Sequence, residues 1–133
     1  MINKLIIKKL VKCLVMKGDK YLLLKRKPSS KFFANQWDFP GGKNEFGEDD
    51  YACAIRELKE ETTLDIENDK IVDEIIHKII GFNLRIAIMK VKKYSGEIKL
   101  SKDHTEYVWV TIKEMEKMDL APVVKKHFFK QKE

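Results

Sequence analysis

The sequence has few of the residues that mark specialised folds. Its 133 residues include only two cysteines, three prolines and six glycines. Cys13 and Cys53 have neither the spacing of a metal site nor the density of a disulfide scaffold, so we interpret both as small core residues. An internal repeat, a low-complexity tract and a proline-rich linker are also absent. Together these absences exclude fibrous and disordered classes of protein.

Long hydrophobic runs are absent as well. No apolar stretch approaches the roughly 18 to 20 residues needed to cross a bilayer. The first residues, Met1 to Lys4, lead into lysine-punctuated sequence rather than into a secretory leader. These features predict a cytoplasmic protein with no membrane partner. The length fits one domain, and we expect residues 1–133 to form it.

The charge balance is basic, with a net charge of +6. A field of this sign favours anionic partners such as nucleotides, nucleic acid or acidic lipid, although a solvated lysine-rich surface explains most of the lysines. The aromatic residues are not interleaved with basic ones as in nucleic-acid stacking platforms, so nucleic acid is not the expected partner. A phosphate-bearing small molecule is compatible with the charge, and no pattern in the sequence fixes an oligomeric state.

The order of predicted elements indicates a mixed α/β or α+β sandwich. A turn at 17–20 separates the first two strands, and a polar loop follows at 27–36. Asp49 and Asp50 predict the start of a helix that runs to about Glu61. A capping box at Thr111–Glu114 and a proline at position 122 predict two short helices near the end of the chain. The predicted strands are residues 5–16, 21–25, 83–92, 97–100 and 107–110.

Three carboxylates of the predicted long helix share one face. Glu57, Glu60 and Glu61 are spaced i, i+3 and i+4. Carboxylates this close raise one another's pKa unless they are solvated or a cation neutralises them. Hard oxygen ligands in this number suit Mg²⁺ or Mn²⁺ together with substrate phosphates. Taken alone, the same segment also fits an exposed acidic helix face paired with lysines.

The wider segment resembles the Nudix box. Gly42 is followed after five residues by Glu48, and after seven more by Arg56 to Leu64, which reads Arg-Glu-Leu-Lys-Glu-Glu-Thr-Thr-Leu. The residues before it, Trp37 to Lys43, are similar to a common lead-in to that box. Every specified position matches except Thr63, where the family usually has glycine. A β-branched residue adopts the left-handed conformation of a helix end only at a cost, so we expect the helix to end differently.

The resemblance implies the Nudix fold, an α+β protein in which a mixed sheet packs between helices as an α/β/α sandwich. It implies that Glu57, Glu60 and Glu61 bind Mg²⁺ or Mn²⁺ and are catalytic, and that the carbonyl of Gly41 is a further ligand. The other box residues, Gly42, Glu48 and Arg56, have structural roles, with Glu48 and Arg56 tying a loop to the helix.

The family often adds an acidic residue six positions before a tryptophan. Asp103 stands in that relation to Trp109, and we expect it to be an additional metal ligand or the general base, with Glu106 as the alternative. The implied chemistry is in-line attack by a metal-activated water on phosphorus, with a carboxylate accepting the proton.

The lead-in at 34–43 and the segment 121–124 resemble the MutT branch of the family. That branch hydrolyses nucleoside triphosphates, often oxidised purine forms, to a monophosphate and pyrophosphate. The likeness implies that Asp38, Phe39 and residues near Leu120 line the base pocket, although ordinary core packing explains Phe39 and Trp37 equally well. Three cations near the box, Arg26, Lys27 and Lys43, are candidates to offset phosphate charge.

Two alternatives stay open. The first is a Nudix hydrolase of ADP-ribose, a dinucleoside polyphosphate or a nucleotide sugar. Against it, residues 79–81 lack the proline typical of the ADP-ribose branch, and residues 76–84 lack the tyrosine typical of the dinucleoside branch. The second is a non-catalytic domain that binds nucleotide or RNA, although such domains generally lose a box carboxylate and this chain keeps all of them.

Overall fold

A computed structural model describes residues 6–67, 70–79 and 82–129 of the chain. Positions 1–5, 80 and 81, which entered the arguments about the leader and the substrate branch, lie outside the described residues. The strands are β1 (Ile6–Lys17), β2 (Lys20–Arg26), β3 (Trp37–Asp38), β4 (Gly41–Lys43), β5 (Asp65–Ile66), β6 (Lys70–Ile79), β7 (Phe82–Val91), β8 (Tyr94–Ser95) and β9 (His104–Val110). The helices are α1 (Asp50–Thr62), α2 (Ile112–Met115) and α3 (Pro122–Phe128).

Strand β1 organises the main sheet. It runs parallel to β7 and antiparallel to β4 and to the start of β2, and β6 extends the sheet antiparallel to β7. Strand β2 in turn pairs antiparallel with β3 and β9. Parallel and antiparallel pairs therefore occur in one sheet, as predicted.

Both faces of this sheet are buried under helices. On β1, Val11 and Cys13 belong to a cluster that includes residues of α1, whereas Leu10 and Leu14 pack in a second cluster with residues of α2 and α3. Successive side chains of a strand point to opposite faces, so the apolar run from Leu10 to Met16, interrupted by Lys12, contributes to both cores. The α/β/α sandwich and the core positions of both cysteines are confirmed.

Local signals define the ends of helix α1. The side chain of Asp49 accepts a hydrogen bond from the backbone N–H of Ala52 at 2.7 Å, which satisfies a free donor of the first turn. At the other end Thr63 is left-handed, with φ of 65°, and its N–H donates to the carbonyl of Lys59. The expectation that threonine would change this end was wrong. The Thr63 hydroxyl donates to the carbonyl of Glu97, a contact that glycine could not make and that helps to offset the strain.

The strand predicted at 97–100 is absent from the described structure. The backbone N–H of Lys99 donates to the carbonyl of Thr62 at 2.9 Å, and that of Ser101 donates to the carbonyl of Glu61 at 3.2 Å. These donors satisfy carbonyls at the end of α1 that have no partner within the helix. The segment therefore caps a helix instead of joining a sheet.

The remaining local predictions agree with the structure. Residues 17–20 form the turn between β1 and β2, and Thr111 and Glu114 make the reciprocal bonds of a capping box at α2. Pro122 begins α3. Among the described helices, none has the length and hydrophobicity that a bilayer span requires.

Candidate active site

Two adjacent glycines bring strand β4 close to β1 and to α1. Gly41 has φ of 147°, and a Cβ atom there would lie 2.1 Å from the carbonyl oxygen of Val11. A Cβ atom on Gly42 would lie 2.0 Å from Glu57 Oε2. The first glycine is therefore required by the backbone, whereas the second leaves space for a carboxylate.

Arg56 ties the loop before α1 to the helix. Its Nε donates to Glu48 Oε2 at 2.6 Å and its Nη2 donates to Glu48 Oε1 at 2.9 Å, a bidentate pair. Nη2 also donates to the carbonyl of Lys43 at 3.0 Å. The hydrogen bonds from Arg56 lower the pKa of Glu48 to about 2. Glu48 and Arg56 thus make the contact expected between loop and helix.

The same guanidinium reaches two of the three carboxylates on the acidic face. Nη1 of Arg56 lies 2.9 Å from Glu57 Oε1 and 3.2 Å from Glu60 Oε1. Burial nevertheless raises the pKa of Glu57, and Arg56 offsets only part of this effect. The side chain of Glu60 is 57% exposed, so it can change its contacts at little cost.

Glu61 lies deeper than its neighbours and is short of positive charge. Its Oε1 accepts a hydrogen bond from the backbone N–H of Gly41 at 2.8 Å. Burial raises its pKa to about 8, although the Lys12 ammonium and the Gly41 amide act in the opposite direction. A buried carboxylate with so high a pKa is a site where an added cation gains interaction energy.

The donor chemistry of this face fits a hard divalent cation. Glu57, Glu60 and Glu61 supply carboxylate oxygens, which Mg²⁺ and Mn²⁺ prefer. Within the described residues no three acidic, histidine or cysteine side chains already converge as a metal site does, because Arg56 holds two of these carboxylates. A cation of this kind would therefore compete with Arg56 for Glu57 and Glu60. The role of the Gly41 carbonyl stays a prediction.

A buried lysine that was not identified from the sequence bonds to Asp38 and interacts electrostatically with Glu61 of this face. Lys12 is 6% exposed, and its Nζ lies 3.0 Å from Asp38 Oδ2. The signal was available in the sequence, because Lys12 occupies the same strand face as Leu10 and Leu14. A charge at such a position requires a buried partner.

One cavity, of about 480 Å³, lies on the side of the sheet that α2 and α3 cover, next to Lys12 and Lys43. Its walls include Leu10, Leu84, Ile86 and Val123, and its polar lining includes the predicted substrate residues Arg26, Asp38 and Lys43 together with Lys12. Ala121 and Pro122 also line it, close to Leu120, as expected.

Phe39 does not line this cavity, and of its two predicted places the core is the one that the structure shows. The residue is 1% exposed, and its ring packs against Phe128 at 5.8 Å and His127 at 6.0 Å between centroids. The ring belongs to the core cluster that the sheet forms with helices α2 and α3.

The later acidic loop approaches the end of α1 through its backbone. Asp103 Oδ1 lies 3.0 Å from Lys27 Nζ, and this contact lowers the pKa of the carboxyl group. Glu106 lies 3.7 Å from Lys25 Nζ. Between them, His104 was not identified from the sequence. It is buried, and burial together with Lys12 and Arg26 lowers its pKa to about 4, so its imidazole is neutral at physiological pH.

Comparison with known proteins gives the same assignment as the geometry. The NUDIX domain family matches residues 8–131. A relative described as "Putative 8-oxo-dGTP diphosphatase 2" from Mycobacterium tuberculosis is 31% identical over 93 residues, which is 67% of this chain and 63% of that protein. The "CTP pyrophosphohydrolase" of Escherichia coli K12 is 26% identical over 108 residues, covering 81% of this chain and 79% of the relative.

Solved structures share the fold over nearly the whole chain. The MutT protein from Methanosarcina mazei Go1 superposes with a TM-score of 0.83 at 25% identity, covering 96% of this chain and 94% of that one. A MutT NUDIX hydrolase from Burkholderia pseudomallei gives a TM-score of 0.82 at 21% identity, with coverage of 91% and 95%. The family and the fold predicted from the box are therefore confirmed, and this chain belongs to the NUDIX domain family.

Proposed function

We propose that this protein is a divalent-metal-dependent hydrolase that converts a nucleoside triphosphate to a monophosphate and pyrophosphate. The observation that carries the proposal is the position of Lys12. It lines the cavity, and its ammonium group opposes part of the rise that burial causes in the pKa of Glu61. The acidic helix face and the cationic cavity are therefore neighbours, as a metal-bound triphosphate requires.

The three carboxylates of α1 would hold the metal. When bound, a divalent cation neutralises phosphate charge and lowers the pKa of a coordinated water. Gly42 leaves the space that the carboxylate of Glu57 occupies, and the Gly41 amide orients that of Glu61. Glu60, which is exposed, supplies the third carboxylate.

The cations of the cavity would orient the phosphates. Lys43 lines it and Lys27 lies on the adjoining loop beside Asp103, whereas Arg26 is bonded to Asp38 and does not take this role. Fixed positive groups next to a polyphosphate hold it in one position and neutralise part of the negative charge of its phosphates.

Hydrolysis consumes one water molecule. Its oxygen bonds to phosphorus, the bridging P–O bond breaks, and the bridging oxygen leaves with the departing phosphate group. We propose that Asp103 accepts the proton of the attacking water. Its loop is hydrogen-bonded to the end of α1 through Ser101 and Glu61, and its carboxylate would exchange Lys27 for the attacking water.

The names of the relatives support a triphosphate as the substrate class. Those relatives are described as an 8-oxo-dGTP diphosphatase and a CTP pyrophosphohydrolase. A further relative, from mouse, is described as an asymmetrical bis(5'-nucleosyl)-tetraphosphatase, 30% identical over 87 residues. Dinucleoside polyphosphates therefore belong in any test.

The test is product release from a substrate panel. Canonical and oxidised nucleoside triphosphates, ADP-ribose and dinucleoside polyphosphates are each incubated with Mg²⁺ and with chelator, and pyrophosphate and phosphate are measured separately. We expect pyrophosphate from a triphosphate only when metal is present. Chelator-resistant turnover, or a folded protein that cleaves only ADP-ribose or dinucleoside polyphosphates, would overturn the proposal.

A further inference from the structure

The polar base of the cavity offers hydrogen-bond donors but few acceptors. We define this cavity base as Lys12, Arg26 and Asp38. The carboxylate of Asp38 is already engaged: Oδ1 accepts from the backbone N–H of Phe39 at 2.8 Å, and Oδ2 lies 3.0 Å from Lys12 Nζ and 3.5 Å from Arg26 Nη1. A ligand that enters the cavity therefore meets an acceptor whose lone pairs are largely occupied.

Lys12 and Arg26 each have N–H donors beyond those used in these contacts. Among the described residues, Lys12 Nζ has two acceptors, Asp38 Oδ2 and the carbonyl of Phe39, and an ammonium group has three donors. Arg26 donates from Nε to the carbonyl of Phe32 at 2.9 Å and from Nη1 to Asp38. These two bonds use two of the five N–H donors of the guanidinium group. Both side chains line the cavity, so these donors are available to a ligand.

The rest of the cavity fits a planar ring. Its walls include the apolar side chains of Leu10, Leu84 and Ile86. Phe32 and Phe33, which are 50% and 36% exposed, also line it. Exposed aromatic rings and flat apolar walls bind the faces of a nucleobase without distinguishing one base from another. Discrimination between nucleobases must therefore come from the edge of the ring that contacts Lys12, Arg26 and Asp38.

We propose that this cavity selects nucleobases that present two adjacent hydrogen-bond acceptors on one edge. Guanine does so with O6 and N7, and cytosine does so with N3 and O2. Adenine places an amino group beside N7, so a donor would face the donors of Lys12 and Arg26. The inference rests on the proposed function, because the base is that of the triphosphate substrate.

The same reasoning separates guanine from its oxidised form. Oxidation at C8 places a hydrogen on N7, which converts one of the two adjacent acceptors into a donor. The cavity base has only the mostly occupied carboxylate of Asp38 to receive it. Oxidised guanine is therefore a poorer ligand for this edge than guanine itself.

Five substrates test the proposal on the unmodified protein. The measurement is kcat/KM for dGTP, 7-deaza-dGTP, 8-oxo-dGTP, dCTP and dATP at saturating Mg²⁺. We expect dGTP and dCTP to exceed dATP by about tenfold or more, and loss of N7 in 7-deaza-dGTP to cost about tenfold. Equal values for dGTP and 7-deaza-dGTP, or a preference for dATP or 8-oxo-dGTP, would overturn it.

A pair of variants locates the effect. Arg26→Gln should reduce the ratio of kcat/KM for dGTP over dATP by about tenfold. Lys25→Gln removes the same charge from the neighbouring position of β2, where the side chain contacts Glu106 and Trp37 and does not line the cavity, and should keep that ratio. A ratio taken within one variant is independent of how much of that variant is folded. An unchanged ratio in Arg26→Gln would count against the assignment.

The outcome also separates this inference from the function on which it rests. Turnover of every triphosphate with no preference among bases would refute base selection and leave the hydrolase proposal intact. Absence of turnover with all five nucleotides would refute both.

Discussion

The two ends of helix α1 have opposite effects on the pKa of a nearby glutamate. Near the start, Glu48 accepts two hydrogen bonds from Arg56, which lower its pKa to about 2. Near the end, Glu61 has the Gly41 amide as its hydrogen-bond donor and lies buried, which raises its pKa to about 8. One carboxylate is stabilised as an anion by the protein, whereas the other is not.

Under the proposed function, the difference separates Glu48, which supports the fold, from Glu61, which would bind the cation. A charge that only supports the fold is neutralised by a permanent partner from the same chain. A charge reserved for a bound cation is left partly uncompensated, and the protein carries the cost until the cation arrives. Glu57 belongs with Glu61 in this respect, because burial also raises its pKa in spite of Arg56.

The largest effect should follow from removing the uncompensated charge. We expect Glu61→Gln to reduce kcat for pyrophosphate release by about a hundredfold or more, because a metal ligand is lost. The matched control, Glu116→Gln, removes an exposed carboxylate at the end of α2 and should retain kcat. Near-normal turnover in a folded Glu60→Gln, Glu61→Gln double variant would show that the acidic face does not hold the metal.

The two adjacent glycines should separate damage to the fold from damage to the site. Gly41→Ala meets the carbonyl of Val11 with an unfavourable φ, so we expect a loss of about 3 kcal/mol in the free energy of unfolding. Gly42→Ala meets only the movable carboxylate of Glu57, so we expect a smaller loss of stability and a clear loss of kcat. Chemical denaturation and kinetics on both variants decide the matter, and equal destabilisation by the two would contradict this account.

The next largest effect should follow from removing the ion pairs that Arg56 makes near the start of α1. Arg56→Met removes the guanidinium that holds Glu48, Glu57 and Glu60, and leaves three neighbouring carboxylates to repel one another. We expect a loss of about 2 kcal/mol in the free energy of unfolding, measured by urea denaturation at pH 7. Added Mg²⁺ should restore part of the loss, since the cation would neutralise the same carboxylates. A variant as stable as the parent would show that the network contributes nothing.

The smallest effect is the pH dependence of stability at each end. The pKa of Glu48 falls from 4.5 to about 2 on folding, so its contribution is full above pH 4.5 and is lost as the pH falls toward 2. Glu48→Gln should therefore differ from the parent at pH 7 and converge with it near pH 2. The pKa of Glu61 rises from 4.5 to about 8, so its contribution is present below pH 4.5 and is lost as the pH rises through 8. Stability is measured against pH on metal-free protein. If Glu48→Gln and Glu61→Gln changed its pH dependence in the same direction, the comparison between the two ends would be wrong.

Features encoded within a few residues were predictable from the sequence. The spacing of Glu57, Glu60 and Glu61 placed them on one helix face, and Asp49 and Thr111 marked helix starts. Such signals depend on neighbours along the chain, which the sequence displays directly.

Features that depend on distant partners were not predictable in this way. The pair Lys12 and Asp38 joins positions 26 residues apart, and only the folded sheet shows that it lines the cavity. The hydrogen bond that supports a left-handed Thr63 comes from a segment more than thirty residues away, which was itself predicted to be a strand. The burial of Phe39 depends on His127 and Phe128, which lie almost ninety residues further along the chain.

The most direct test of the central claim is calorimetric titration of the protein with Mn²⁺ at pH 7 in buffers of different ionisation enthalpy. If Glu61 is protonated until a cation binds, about one proton should be released per bound ion, and Glu61→Gln should abolish that release. Binding without proton release, or the same release from Glu61→Gln, would contradict the claim that this end of α1 is held ready for a metal.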